Sequence, residues 1–262
     1  MNTLLIDTDV IYYQFAFRNQ DDIDWDGDGE ITPITQRAKC MAEVDEFIQD
    51  LKEQLDGSKV VLVESSRNNF RKLLWPDYKA HRKDKPKPEL WQEIKDYLYW
   101  GDGKHHLASI DWLEGDDVLG IYATNGAFEN PIIVSIDKDM ETIPCRLYLW
   151  NKPDLGVRTI DPEQAHWNHM YQTLVGDSAD GYKGCPGIGA VKATRILNES
   201  EDLWASVVET FESKGLTEED ALLQAHMAYI LREGDDKYED GKQYVRLWTP
   251  EEPTWMELPD VK

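Results

Sequence analysis

Four short apolar runs punctuate the first 150 residues, and three of them end in an acid. They are Thr3-Leu4-Leu5-Ile6-Asp7, Val60-Val61-Leu62-Val63-Glu64, Pro131-Ile132-Ile133-Val134-Ser135-Ile136-Asp137 and Arg146-Leu147-Tyr148-Leu149-Trp150. Each run is continuous rather than alternating, which suits a strand covered on both faces. Between them lie segments of helical period, at 41–55, 90–100 and 118–128. This alternation predicts an α/β fold with a largely parallel central sheet flanked by helices. From about residue 160 the strand signals mostly stop and the chain reads helical, interrupted by a Gly-rich turn at 184–189. The expected organisation is an α/β core over 1–160 with a basic segment at about 67–100. A helical region over 161–250 packs on it, and a loosely held tail follows over 251–262.

The chain has 262 residues, of which 41% are hydrophobic, enough for a well-buried core and too many for a disordered chain. No apolar run approaches the roughly 18 residues of a membrane span, and no basic segment followed by an apolar stretch marks a secretory signal. Cys40, Cys145 and Cys185 are odd in number and widely spaced. They form neither a disulfide framework nor a zinc pattern, which points to a reducing cytoplasm.

The formal charge is -23, a field that repels phosphate on average. One window breaks that average. Residues 67–87 hold Arg67, Arg71, Lys72, Lys79, Arg82, Lys83, Lys85 and Lys87 against only Asp77 and Asp84. The window is net +6 and the remainder -29. Phe70, Trp75 and Tyr78 are interleaved with the bases. Such a stretch fits either a local phosphate-binding surface or a solvated loop.

Ligands of open parallel sheets bind beyond the carboxyl ends of the strands, where Asp7, Glu64 and Asp137 fall. Asp139 follows two residues after Asp137. Glu114, Asp116 and Asp117 precede an apolar helical run, and Asp177 and Asp180 are one helical turn apart. So many carboxylates in one crevice repel one another unless a cation compensates. Oxygen donors without His or Cys select Mg²⁺, Mn²⁺ or Ca²⁺ rather than zinc. Each acid alone has a plainer reading. Glu114, Asp116 and Asp117 suit a helix N-terminus, Asp9 suits the N-cap of a helix starting at Val10, and Asp177 and Asp180 suit a turn. None of these explains the conjunction.

The blocks LLIDTDVIYYQF, NFRKLLWPDYKAHRK, LEGDDVLG, VSIDKDMETIP and GDSADGYKGCPGIGAVKA occur in this order. In them the chain resembles the 5′-nuclease (flap endonuclease) family, and most closely the 5′→3′ exonucleases of T-odd-type bacteriophages. The likeness runs from Leu4 to about Pro250. It implies a PIN-like nuclease core, a helical arch and a C-terminal helix–hairpin–helix region. The implied function is metal-dependent 5′→3′ exonuclease and structure-specific flap or RNase H-like hydrolysis in phage replication, recombination or primer removal. Asp7, Glu114, Asp116, Asp117, Asp137, Asp139, Asp177 and Asp180 match the family's metal-binding acids. Glu64 stands where the family usually has Asp. It reads either as a longer-reaching ligand or as a strand-end acid paired with Arg67 or Arg71.

Lys79 and Arg82 match the basic pair at the scissile phosphate, and Tyr13 matches an aromatic that stacks a base. Arg67, Arg71, Lys72, Tyr78, Lys83, Lys85 and Lys87 would line the arch. Gly184, Gly187, Gly189 and Lys192 would grip duplex backbone. The resemblance implies two Mg²⁺ ions, replaceable by Mn²⁺, and K⁺ at the hairpin turn. It implies a monomer in the host cytoplasm acting on duplex DNA with a 5′ end, nick or flap, or on an RNA–DNA hybrid, alongside phage replication proteins.

Two non-enzymes compete with this reading. An acidic chain can mimic DNA, although a mimic has no use for a +6 segment. A calcium module is suggested by Asp24-Trp25-Asp26-Gly27-Asp28-Gly29-Glu30, but Thr35 stands where an EF-hand needs Glu. A PIN-like ribonuclease is a third alternative, and it leaves the helix–hairpin–helix unexplained.

Overall fold

A computed structural model describes residues 1–82, 86–100 and 105–260. Its centre is a six-stranded sheet in the order β5-β4-β1-β6-β7-β8. The strands are β1 (Asn2–Asp7), β4 (Gly57–Val63), β5 (His106–Ala108), β6 (Pro131–Ser135), β7 (Arg146–Leu149) and β8 (Arg158–Thr159). The four strands expected from the apolar runs are β1, β4, β6 and β7, and they pair in parallel. The short β5 adds a parallel edge, and β8 closes the other edge antiparallel to β7.

Alternate residues of each strand point into two different cores. Leu4, Ile6, Leu62, Ile132 and Val134 pack under α1 (Thr8–Arg18), α2 (Arg37–Gln54) and α4 (Trp91–Trp100). Leu5, Val61, Val63, Ile133 and Leu147 face the opposite way. They share a cluster with residues of α5 (Gly115–Thr124), α6 (Pro162–Val175), α7 (Ala190–Asn198), α8 (Leu203–Glu212) and α9 (Glu218–Ala228). Burial on both faces is why the runs are continuously apolar.

Three parts of the chain depart from expectation. Residues 20–35 form an antiparallel hairpin of β2 (Gln20–Asp24) and β3 (Ile31–Thr35). Its strands are largely solvent-facing, so no apolar pattern announces them. The Asp24–Glu30 loop therefore closes a β-hairpin rather than joining two helices. The Asp24 carboxylate accepts the Gly27 and Gly29 N–H groups at 2.6 and 3.1 Å, which corrects the EF-hand alternative.

Past residue 160 the chain is not wholly helical. Strands β9 (Asp236–Glu239), β10 (Lys242–Leu247) and β11 (Thr254–Glu257) form an antiparallel sheet. The expected loose tail contains β11, and Leu258 is buried in the main cluster. There the Leu258 N–H donates to Gln243, and the Trp112 indole donates to the Pro259 carbonyl.

Short helix α3 (Arg71–Leu74) and a 3-10 turn at Ala80–Arg82 are the helical parts of the described basic stretch before α4. Lys83 and Lys85 lie outside the described residues.

Candidate active site

The carboxyl ends of β1, β4 and β6 supply the first acids. Asp7 ends β1 and caps α1 from outside, so α1 starts at Thr8 and Asp9 is not its N-cap. Ser135, the last residue of β6, donates its hydroxyl to Asp7 at 2.8 Å and accepts the Asp137 N–H at 3.0 Å. That hydroxyl ties two neighbouring strand ends together. Asp137 in turn accepts the Asp139 N–H at 2.8 Å, which opens a 3-10 turn over Lys138–Thr142.

Glu114 caps α5, and Asp116 and Asp117 lie in its first turn. Asp177 Oδ1 accepts the N–H groups of Ala179 and Asp180, folding the 177–180 segment into a tight turn. That turn docks on the basic stretch through the Lys79 N–H, which donates to the Asp180 carbonyl at 2.8 Å. Lys79 adopts a positive φ of 54°, a costly conformation for a residue with a side chain.

Electrostatics bind these acids into one group. Burial and then the neighbouring Asp9 push Asp7 up to about 7. Burial and then Asp137 push Asp139 up to about 7. Asp116 is raised by burial and by Asp137 and Asp7, and Asp137 is raised mainly by burial, with Asp180 and Asp177 adding. Glu114 goes the other way. Burial would raise it, but Lys79 and Arg71 outweigh that and hold it at about 2.

Lys79 Nζ contacts Glu114 at 2.5 Å and Asp180 at 3.4 Å, and Arg82 meets Asp180 at 2.8 Å. Side-chain cations thus neutralise Glu114 and Asp180 and leave Asp7, Asp116 and Asp139 short of positive charge. Among the described residues, no three of the acids already close around a common point. Hard oxygen donors that repel one another fit a divalent cation of the Mg²⁺ class.

Several assignments are corrected. Arg71 does not face DNA. It is fully enclosed and grips Asp117 with two bonds of 2.8 Å, while also reaching Glu114 at 3.2 Å. Asp117 also accepts the N–H groups of Glu114 and Leu231, so both of its oxygens are committed within the protein. Tyr78 is buried, with its hydroxyl on Glu114 at 2.9 Å and Asp180 at 3.0 Å, and cannot line an arch. Glu64 pairs with neither Arg67 nor Arg71. Its Oε2 takes the Tyr12 hydroxyl at 2.9 Å and Lys95 at 3.0 Å, which fastens α4 to the end of β4.

Gly184 is buried, and its N–H is spent on Gln224. A Cβ there would lie 2.4 Å from the Gly176 nitrogen, and one on Gly176 would lie 2.4 Å from the Gly184 nitrogen. These two glycines serve close backbone packing rather than phosphate.

Other assigned residues face solvent. Arg67, Lys72 and Lys87 are exposed, and Lys87 lies 3.2 Å over the Trp91 ring. Tyr13 is half-exposed on α1, beside Trp91 and stacked on Phe17. Gly187 and Gly189 are exposed just before α7, and Lys192 Nζ bonds the Gly187 carbonyl. Asp9, weighed from the sequence as a helix cap, instead stands with the acidic group. Half-buried, it accepts the Ser65 N–H at 3.0 Å and is raised mainly by desolvation, with Glu64 and Glu114 adding. The spacing Asp7-Thr8-Asp9 was its only signal. Ser135 and Lys95 gave none.

Residues 2–166 match the family model described as 5′-3′ exonuclease, N-terminal resolvase-like domain. The chain is 30% identical to the exodeoxyribonuclease of Enterobacteria phage T3, across 94% of this chain and 92% of that protein. It is 30% identical to the exonuclease of Escherichia phage T7, across 94% and 93%. It is 29% identical to the flap endonuclease Xni of Shewanella pealeana, across 75% and 73%. The solved structure of the T5 D15 protein co-crystallized with metal ions shares the fold, with a TM-score of 0.66 over 87% of this chain and 89% of that one at 14% identity. No helix among the described residues is long and apolar enough to cross a membrane. The chain belongs to the 5′–3′ exonuclease family.

Proposed function

We propose that this chain hydrolyses phosphodiester bonds near free 5′ ends of duplex DNA, at nicks, flaps or hybrid junctions, using divalent ions of the Mg²⁺ class. The observation that carries the proposal is the group of buried Asp7 and half-buried Asp116, Asp137 and Asp139, raised together by desolvation and mutual repulsion. Such a group is costly unless a cation joins it.

Asp7, Glu114, Asp116, Asp137, Asp139, Asp177 and Asp180 would hold the ions between them. When bound, two divalent ions would supply the Lewis acidity that activates a water and steadies the leaving oxygen. Mn²⁺ suits the same donors. Lys79 contacts Glu114 and Arg82 contacts Asp180, and they would offset charge on the reacting phosphate. The half-exposed Tyr13 ring offers a stacking surface for the terminal base. Gly187, Gly189, Lys192 and the start of α7 offer backbone N–H groups and a positive charge to duplex phosphates, with K⁺ as a partner at that turn. Arg67, Lys72 and Lys87 supply the positive face in a chain of net charge -23.

The test is digestion of 5′-labelled blunt duplex, nicked duplex, 5′-flap and RNA–DNA hybrid substrates with Mg²⁺ or EDTA. Products released from the 5′ side only in Mg²⁺ support the proposal. Degradation from 3′ ends, or in EDTA, contradicts it.

A further inference from the structure

Gln172 lies on the last turn of α6, one turn before the loop that carries Asp177 and Asp180. It is 7% exposed, and its side-chain oxygen has no hydrogen-bond partner. Buried amide oxygens are seldom left so, because the lost water bond is not replaced. The side chain lines a small cavity together with Glu114, Asp116, Asp139 and Asp180.

No donor on the cavity wall bonds the Gln172 oxygen, and two of them are already spent. Arg71 is held by Glu114 and Asp117, and the Tyr78 hydroxyl by Glu114 and Asp180. A donor for Gln172 must therefore come from what fills the cavity. The carboxylates sharing that space call for a cation. A hydrated divalent ion meets both demands, because Mg²⁺ keeps several of its waters and polarises their O–H groups into strong donors.

We propose that the Gln172 carboxamide oxygen accepts a hydrogen bond from a water carried by the divalent ion at Asp116, Asp139 and Asp180, and so positions that ion. This rests on the metal reading of the acidic group given above. A neutral amide is suited to the role, since it adds a hydrogen-bond acceptor without adding negative charge to acids that already repel. Glutamate would add charge, and leucine of similar size would leave that wall dry.

The test is thermal unfolding of the full chain, first in EDTA and then across a titration of MnCl₂ or MgCl₂. The proteins compared are wild type, Gln172→Leu, Gln172→Glu and Asp139→Asn. Gln172→Leu should unfold no earlier than wild type without metal, because it removes an unpartnered polar group. It should need about tenfold more metal for half of the thermal shift. Gln172→Glu should unfold earlier without metal and respond at lower metal concentration. A Gln172→Leu protein that melts earlier in EDTA yet responds at the wild-type metal concentration assigns Gln172 to core packing and overturns the proposal. A wild type with no metal-dependent shift, or one that Asp139→Asn reproduces in full, removes the metal site itself, and the proposal falls with it. The two failures are distinct, because only the second appears in wild type or Asp139→Asn.

Discussion

Arg71 and Asp117 form a bidentate ion pair sealed from solvent, with both N–O distances at 2.8 Å. The pair joins the basic stretch to α5 and holds Glu114 in the same grip. An exposed basic window in the sequence thus contributes one of its arginines to the interior.

Removing one member of such a pair leaves the other charge buried and alone. Arg71→Ala should lower stability by about 3–5 kcal/mol in denaturant unfolding. Arg71→Lys should recover little, since an ammonium cannot make the two-pronged contact. An Arg71→Ala protein that unfolds like wild type but loses DNA affinity would return Arg71 to the DNA surface.

Lys79 and Arg82 both touch acids of the site, whereas Arg67, Lys72 and Lys87 are exposed and make no ion pair with them. Lys79→Ala and Arg82→Ala should reduce turnover by about two orders of magnitude with modest loss of affinity. Lys72→Ala and Lys87→Ala should weaken binding and flatten its dependence on salt. Single-turnover rates and binding isotherms at several salt concentrations separate the two behaviours. Equal effects of all four substitutions would refute the division.

The raised acids set a pH dependence of stability without metal. Asp139 rises from 3.8 to about 7 on folding, so the folded state holds its proton more tightly than the unfolded chain. That contribution is fully present below about pH 4 and is lost as pH rises through about 7. In EDTA, Asp139→Asn should match wild type near pH 4 and exceed it above pH 7. Melting curves across that range check this. A variant less stable than wild type at pH 8 would contradict it.

Glu64 now has named partners. With Oε2 engaged by Tyr12 and Lys95, its first task is to fasten α4. Glu64→Gln should cost roughly 1 kcal/mol of stability and leave the Mg²⁺ concentration for half-maximal rate within about twofold of wild type. Lys95→Ala should reproduce the stability loss. A shift in the Mg²⁺ requirement much beyond twofold in Glu64→Gln alone would make Glu64 a ligand.

The four main strands were legible because burial on both faces forces unbroken apolar runs, and the acids at their ends were legible because sheet topology sends them to one crevice. The β2–β3 hairpin and the C-terminal sheet were not, since their strands face solvent on one or both sides and carry Asp, Lys and Glu. Arg71 and Tyr78 were misread because charge and ring type do not reveal which way a side chain points. Whether a base faces phosphate or a buried carboxylate depends on contacts across the chain, here from residue 71 to residue 117. Asp9 reads as a helix cap because its actual partner, the Ser65 backbone, is 56 residues away. The extra lift on Asp7 from Asp9 depends on a spatial closeness that spacing alone left open.

The central claim is that the buried acids act by holding metal rather than by shaping the fold. It is tested most directly by measuring cleavage of a 5′-labelled flap or nicked duplex by wild type and Asp139→Asn, with DNA affinity followed in parallel. The account predicts that EDTA abolishes wild-type cleavage and Mg²⁺ restores it. It also predicts that Asp139→Asn cleaves at least 100-fold more slowly in Mg²⁺ while binding the same DNA nearly as well. Cleavage that persists in EDTA, or an Asp139→Asn rate close to wild type, would contradict it.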